Sequence, residues 1–212
     1  MKPLLMTGFE PFLGMPANSS WDGLALMLKR YPDLEHQTAI ARLPVTFGAA
    51  DAALERALQE YQPRYLVSLG MHSGLESSWR ALKGFYIEET GYNLDDAAVP
   101  DNAGVVRKGS PIEESGPEQR AATLPPEIPM DILARAGCDV YASRDPGRYL
   151  CNHVFYCGLM LATRLPRAPK VGFIHVPPAD DLRAGALSLG AISDAYAALA
   201  LGLLAHDRRS DA

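Results

Sequence analysis

One stretch, residues 64–70, limits this chain more than any other. Its centre, Tyr65-Leu66-Val67-Ser68-Leu69, is apolar at nearly every position. A strand of that kind needs cover on both faces, as in a parallel sheet lying between helices. Segments with helical periodicity alternate with further strand candidates along the chain. Strands are read at 4–6, 37–45, 64–70, 140–143 and 170–176. Helices are read at 20–30, 47–61, 129–136, 150–165 and 180–206. In 47–61, for example, Ala50, Ala53, Leu54, Ala57 and Leu58 recur at helical spacing. The expectation is an α/β fold, with a twisted, mostly parallel sheet carrying helices on both faces. Its 212 residues form a single domain, 1–212.

Local signals set the expected element ends. Ser19 or Ser20 is positioned to cap the first helix, and Asp180-Asp181 suits the first turn of the last one. Residues 8–20 hold Pro11, Gly14 and Pro16 and read as a loop, and Arg144 to Gly147 as a turn. The segment 73–86 fits no clear helix or strand, with Trp79 and Phe85 isolated among polar residues, and two readings stand: a mobile flap over the site, or an ordinary surface helix with Trp79 packed into the core. Residues 88–119 carry many turn formers and little periodicity, the pattern of a long functional or mobile loop.

Composition excludes several roles. A net charge of −5 with no Lys/Arg stripe argues against nucleic-acid binding. The longest uninterrupted apolar run, 195–205, is about half the roughly 20 residues a membrane span requires. The start of the chain is too short in apolar residues for a signal peptide. Three cysteines, Cys138, Cys151 and Cys157, build neither a disulfide framework nor a recognisable zinc motif, and a cytoplasmic location is expected. No P-loop, dinucleotide fingerprint, G-x-S-x-G elbow or H-E-x-x-H is present.

Cys151 opens a helical stretch, and His175 ends a strand 24 residues later. A helix start offers unpaired N–H groups and the positive end of a dipole, which favour a thiolate. An imidazole nearby serves as its base. His153 lies two residues from Cys151 on the same helix and points away from it. Cys157 and Cys138 read as packing, and His36 and His206 as solvated. Loops after Gly8, Gly70 and His175 leave strand ends, where ligands gather in such folds.

Five motifs occur in order: Thr7-Gly8-Phe9-Glu10-Pro11-Phe12, Asn93-Leu94-Asp95-Asp96, Pro100-Asp101-Asn102, Tyr149-Leu150-Cys151-Asn152-His153 and Ile174-His175-Val176-Pro177. With Glu88 standing 63 residues before Cys151, they resemble the type I pyroglutamyl peptidases, cytosolic cysteine peptidases also called pyrrolidone-carboxylate peptidases. The resemblance implies a triad of Cys151, His175 and Glu88, with Glu88 orienting the imidazole. It implies pyroglutamyl peptides as substrates, no cofactor and no metal, and a homo-oligomer, dimer or tetramer.

Pyroglutamate is a neutral lactam, so its pocket needs an apolar slot and few polar contacts. Phe9, Phe12, Tyr149 and Leu150 flank the loop and the nucleophile and are expected to build that slot. Asn18 and Met71 join them by position in the resembled motifs. This chain departs from the family at several places. Met71 stands where the family has a Gln, Ala98 and Glu89 where it has Arg, and Asn18-Ser19-Ser20 where it has N-P-S. Two other readings stay open at this point: a ligand-binding homologue without peptidase activity, and an amidohydrolase for another cyclic amide.

Overall fold

The computed structural model describes residues 2–72 and 82–210, with side chains described as far as 207. Six strands form one sheet in the order β2-β1-β3-β8-β4-β7. They are β1 (Leu4–Phe9), β2 (Thr38–Leu43), β3 (Tyr65–Met71), β4 (Phe85–Glu88), β7 (Val140–Ser143) and β8 (Lys170–Val176). β1, β2, β3 and β8 run parallel, whereas β4 is antiparallel to β8 and parallel to β7. The small pair β5 (Thr90–Tyr92) and β6 (Gln119–Ala121) is antiparallel. Among the described residues five α-helices flank the sheet: α1 (Ser19–Arg30), α2 (Ala49–Tyr61), α3 (Glu127–Arg135), α4 (Leu150–Ala162) and α5 (Leu189–Ser210).

Strand parity divides the interior into two cores. Leu4 and Met6 of β1, Val67 and Leu69 of β3, and Ile174 and Val176 of β8 join the core under α1, α3 and α5. Leu5 and Phe9, Leu66, and Val171 and Phe173 join the core under α2 and α4. β3 is buried at every position, as its apolar centre requires. The same parity puts Gly70, His175 and Glu88 on the α4 face, because each lies an even number of positions from Leu66, Phe173 and Tyr86 respectively.

Several element ends differ from the sequence reading. Asn18, not Ser19 or Ser20, caps α1: its Oδ1 accepts from the Ser20 amide at 3.1 Å. The two serines are buried and used elsewhere, Ser19 Oγ donating to the Pro177 carbonyl at 2.6 Å and Ser20 Oγ accepting from the Phe9 amide at 2.9 Å. β1 continues through Gly8, where a Cβ would lie 2.5 Å from the Ser20 carbonyl, so only glycine lets α1 approach. α5 begins at Leu189 rather than at Asp180. The Asp180 amide instead donates to the Leu187 carbonyl at 2.8 Å, closing a loop before the helix. By length and composition Leu189–Asp207 is apolar enough to span a membrane, contrary to the run-length reading, but half of that window is buried within the fold.

The flap reading of 73–86 fails at its C-terminal end, where Phe85 and Tyr86 lie in buried β4. Residues 73–81, Trp79 among them, lie outside the described residues. The long 88–119 connection is held by side-chain caps. Asn93 Oδ1 accepts from the Ile112 and Glu113 amides at 2.8 Å each. Asp101 accepts from the Phe47, Ala103 and Val105 amides at 2.8–2.9 Å.

Candidate active site

Cys151 is the second residue of α4, which has no side-chain cap at Tyr149. The first intrahelical bond at this end runs from the His153 amide to the Tyr149 carbonyl at 3.0 Å, so the amides before it point out of the helix. Asn152, beside the cysteine, ties this end down. It accepts from the Tyr92 amide at 2.8 Å and donates to the Tyr92 and Leu94 carbonyls at 2.9 and 3.0 Å. The Cys151 sulfur lies over Gly70 of β3, where a Cβ would stand 2.8 Å from Sγ and 2.7 Å from the Phe173 ring. Gly70 pairs in register with His175.

His175 Nδ1 lies 2.8 Å from Glu88 Oε1, and both side chains are buried. Burial opposes a charge on the imidazole, but Cys151 in front of it and Glu88 behind it outweigh that and raise its pKa to about 10. The second Glu88 oxygen is buried with no hydrogen-bond partner among the described residues. His72 takes the opposite course. Burial first, and then the nearby His175, push it down to about 4, while its Nε2 lies 3.2 Å from the Gly84 carbonyl. A neutral imidazole therefore stands beside a charged one.

Cys151 opens on a slot lined by Phe9, Phe12, Asn18, Val45, Met71, Tyr149 and Leu150. All six nominated wall residues thus meet at the cysteine, and among the described residues the lining carries no charged side chain. Asn18 contributes as a wall, since its amide is already used by Ser20 and by the Glu10 carbonyl at 3.0 Å. Val45 was not foreseen. It follows β2, and Glu10 Oε1 fixes it by accepting its amide at 2.9 Å. The Tyr149 hydroxyl donates to the Pro100 carbonyl at 3.0 Å, which joins the Pro100-Asp101-Asn102 motif to the slot. Glu89, in place of the family's Arg, is spent on a surface pair with Arg144.

Solved structures share this fold. The crystal structure of pyroglutamyl peptidase I from Bacillus amyloliquefaciens superposes with a TM-score of 0.85 at 28% identity, covering 98% of both chains. The pyrrolidone carboxyl peptidase of Thermococcus litoralis gives 0.83 at 27% identity, over 99% of this chain and 96% of that one. The family model for pyroglutamyl peptidase matches residues 2–204. This chain belongs to the pyroglutamyl peptidase family. Sequence relatives agree. It is 38% identical to the pyrrolidone-carboxylate peptidase of Gloeobacter violaceus over 82% of this chain and 80% of the other. It is 34% identical to that of Clavibacter michiganensis over 84% and 79%.

A second buried cluster was missed by sequence reading. His153 does point away from Cys151, but it is held on both ring nitrogens, by Asp95 at 2.8 Å and by Asp51 at 2.7 Å. Asp95 is fully buried and also pairs with Arg107 at 2.9 Å. Burial works against the His153 charge, yet the two carboxylates raise its pKa to about 11.

The contact at Gly70 of this peptidase gives a first prediction. Gly70→Ala should shift Cys151 Sγ off its position and lower kcat/KM by ~10²-fold or more. Its stability cost, about 1–3 kcal/mol for overpacking, should leave the protein folded. Unchanged kinetics in a folded variant would show that the sulfur is not positioned against Gly70.

Proposed function

We propose that this peptidase removes N-terminal pyroglutamyl residues from peptides through Cys151, His175 and Glu88. The observation that carries this reading is a half-exposed thiol between a buried imidazole–carboxylate pair and an uncharged slot. The slot suits a lactam, which brings no ammonium group to neutralise. The Cys151 thiolate attacks the pyroglutamyl carbonyl carbon, and the oxyanion is received by the free amides at the start of α4. His175 gives its proton to the departing amine, leaving a thioester. It then takes a proton from water, whose oxygen attacks the thioester and releases pyroglutamate and the Cys151 thiolate beside a reprotonated His175. Glu88 holds Nδ1 throughout, so that Nε2 faces the sulfur.

Turnover of a pyroglutamyl fluorogenic amide, with a free-amino alanyl amide as comparison, tests the reading. Hydrolysis confined to the pyroglutamyl compound is expected, and no turnover of it would reject the proposal. Glu88→Gln should lower kcat by up to ~10⁴-fold with little change in KM, and less severely than His175→Ala. Glu89→Gln should behave as wild type, because among the described residues the Glu89 side chain reaches only Arg144. The reverse ranking of the two glutamates would show that the orienting carboxylate has been misassigned. A cytoplasmic location and a dimeric or tetrameric assembly belong to the same proposal. Three free cysteines support the first, and light scattering checks the second.

A further inference from the structure

We infer that Asp51, His153 and Cys157 form a zinc-binding site on the side of α4 away from the slot. Their ligand atoms, a carboxylate oxygen, a ring nitrogen and a sulfur, all lie within 4.8 Å of one another. His153 and Cys157 are four residues apart on α4, so they stack on one face of the helix. Asp51 reaches them from the first turn of α2. One nitrogen, one sulfur and one oxygen ligand, with a fourth position for water, is a donor set that zinc accepts. Asp51 is one-third exposed while His153 is buried, so the open position and the entry path lie on the Asp51 side.

Asp95 supplies the support that zinc-bound histidines need. It accepts from Nδ1, which fixes the tautomer with Nε2 turned toward Asp51 and Cys157. Arg107 in turn holds Asp95. Zinc bonds of about 2.0–2.3 Å place ligand atoms roughly 3.3–3.8 Å apart in a tetrahedron. The 2.7 Å hydrogen bond between Nε2 and Asp51 must therefore open by about 0.6–0.8 Å. The Asp51 side chain, one-third exposed, can make that movement.

The protons balance as well. Without the ion, two carboxylates face a protonated His153 and Arg107, and Cys157 keeps its proton. Zinc replaces one proton on His153 Nε2 and one on Cys157 Sγ, so two protons leave as a doubly charged ion enters. The charge of the buried cluster is the same before and after. The sequence held no zinc spacing because Asp51 lies over a hundred residues from His153.

Cobalt titration of the full chain carrying Cys151→Ala, which removes the competing thiol, tests the site. One equivalent of Co²⁺ should bind, with a thiolate-to-cobalt charge-transfer band and the visible bands of a four-coordinate ion. One equivalent of Zn²⁺ should abolish both. The charge-transfer band should vanish on adding Cys157→Ser, with circular dichroism confirming the fold. Asp51→Asn, at a partly exposed position that leaves the His153–Asp95 pair intact, should weaken binding at least tenfold. No band in the Cys151→Ala protein, or a full band after Cys157→Ser, overturns the site. If Cys157→Ser does not fold, undiminished affinity in Asp51→Asn overturns it.

Discussion

Cys151→Ser should lower kcat/KM on a pyroglutamyl amide by several orders of magnitude, up to ~10⁶-fold, because the members of a nucleophile–base–orienter set fail as a unit. The two other cysteines have no comparable position. Cys157 is buried, and that burial raises its thiol pKa. Cys138 is half-buried, and burial together with the neighbouring Asp139 raises its pKa as well. Neither sits at a helix start, and neither faces His175. Iodoacetamide should therefore inactivate the protein in step with carboxamidomethylation of Cys151, read by peptide mass spectrometry. Cys138→Ser should keep its full rate. Activity that survives in Cys151→Ser, or inactivation that tracks labelling of Cys138, would remove Cys151 from the mechanism.

The parts of this site that could be read from sequence are those governed by local rules. A thiol opening an apolar helix and an imidazole closing a strand are visible in single segments, and strand parity turns the imidazole toward the face that α4 covers. The walls follow from the same logic, since Phe9, Phe12, Tyr149 and Leu150 neighbour a strand end and the nucleophile, and their loops converge where parallel strands end. The triad, the tilt toward pyroglutamate, and Asn18 and Met71 needed the resemblance. What sequence could not show depends on tertiary contacts. β4 was unreadable because its four residues, Phe85 to Glu88, mix a core face with the site-facing Tyr86 and Glu88, too few for a periodicity. The α1 cap was misplaced by one or two residues because Asn, Ser and Ser all qualify, and burial of both serines against Phe9 and Pro177 decides among them. The start of α5 was misjudged because Asp180 looks like a first-turn residue until its amide is seen to close a loop on Leu187. The Asp51–His153–Asp95 cluster joins residues 102 and 58 positions apart, and no local pattern records such contacts.

That cluster sets the largest stability effect expected here. His153→Ala, measured with a chelator present, removes the imidazolium between two carboxylates and leaves Asp95, fully buried, with Arg107 alone. Breaking a buried pair by deleting one partner costs about 3–5 kcal/mol, or a fall in Tm of roughly 6–20 °C for a chain of this size. The variant also empties the contact with Phe47, whose ring meets that of His153 edge-on at 5.2 Å and in turn supports Tyr149 at 5.9 Å. The effect has a pH signature. His153 is raised to about 11 in the folded chain, against about 6.5 when unfolded. The raised value means the folded state holds the proton more tightly, so this stabilisation is complete below about pH 6.5 and fades as pH climbs toward 11. The Tm difference between wild type and His153→Ala should accordingly be widest in mild acid and shrink steadily through alkaline pH. His175 titrates in both proteins and cancels in the difference. A gap that stays constant from pH 6 to 10 would mean that packing, not the buried charge pair, holds this part of α4.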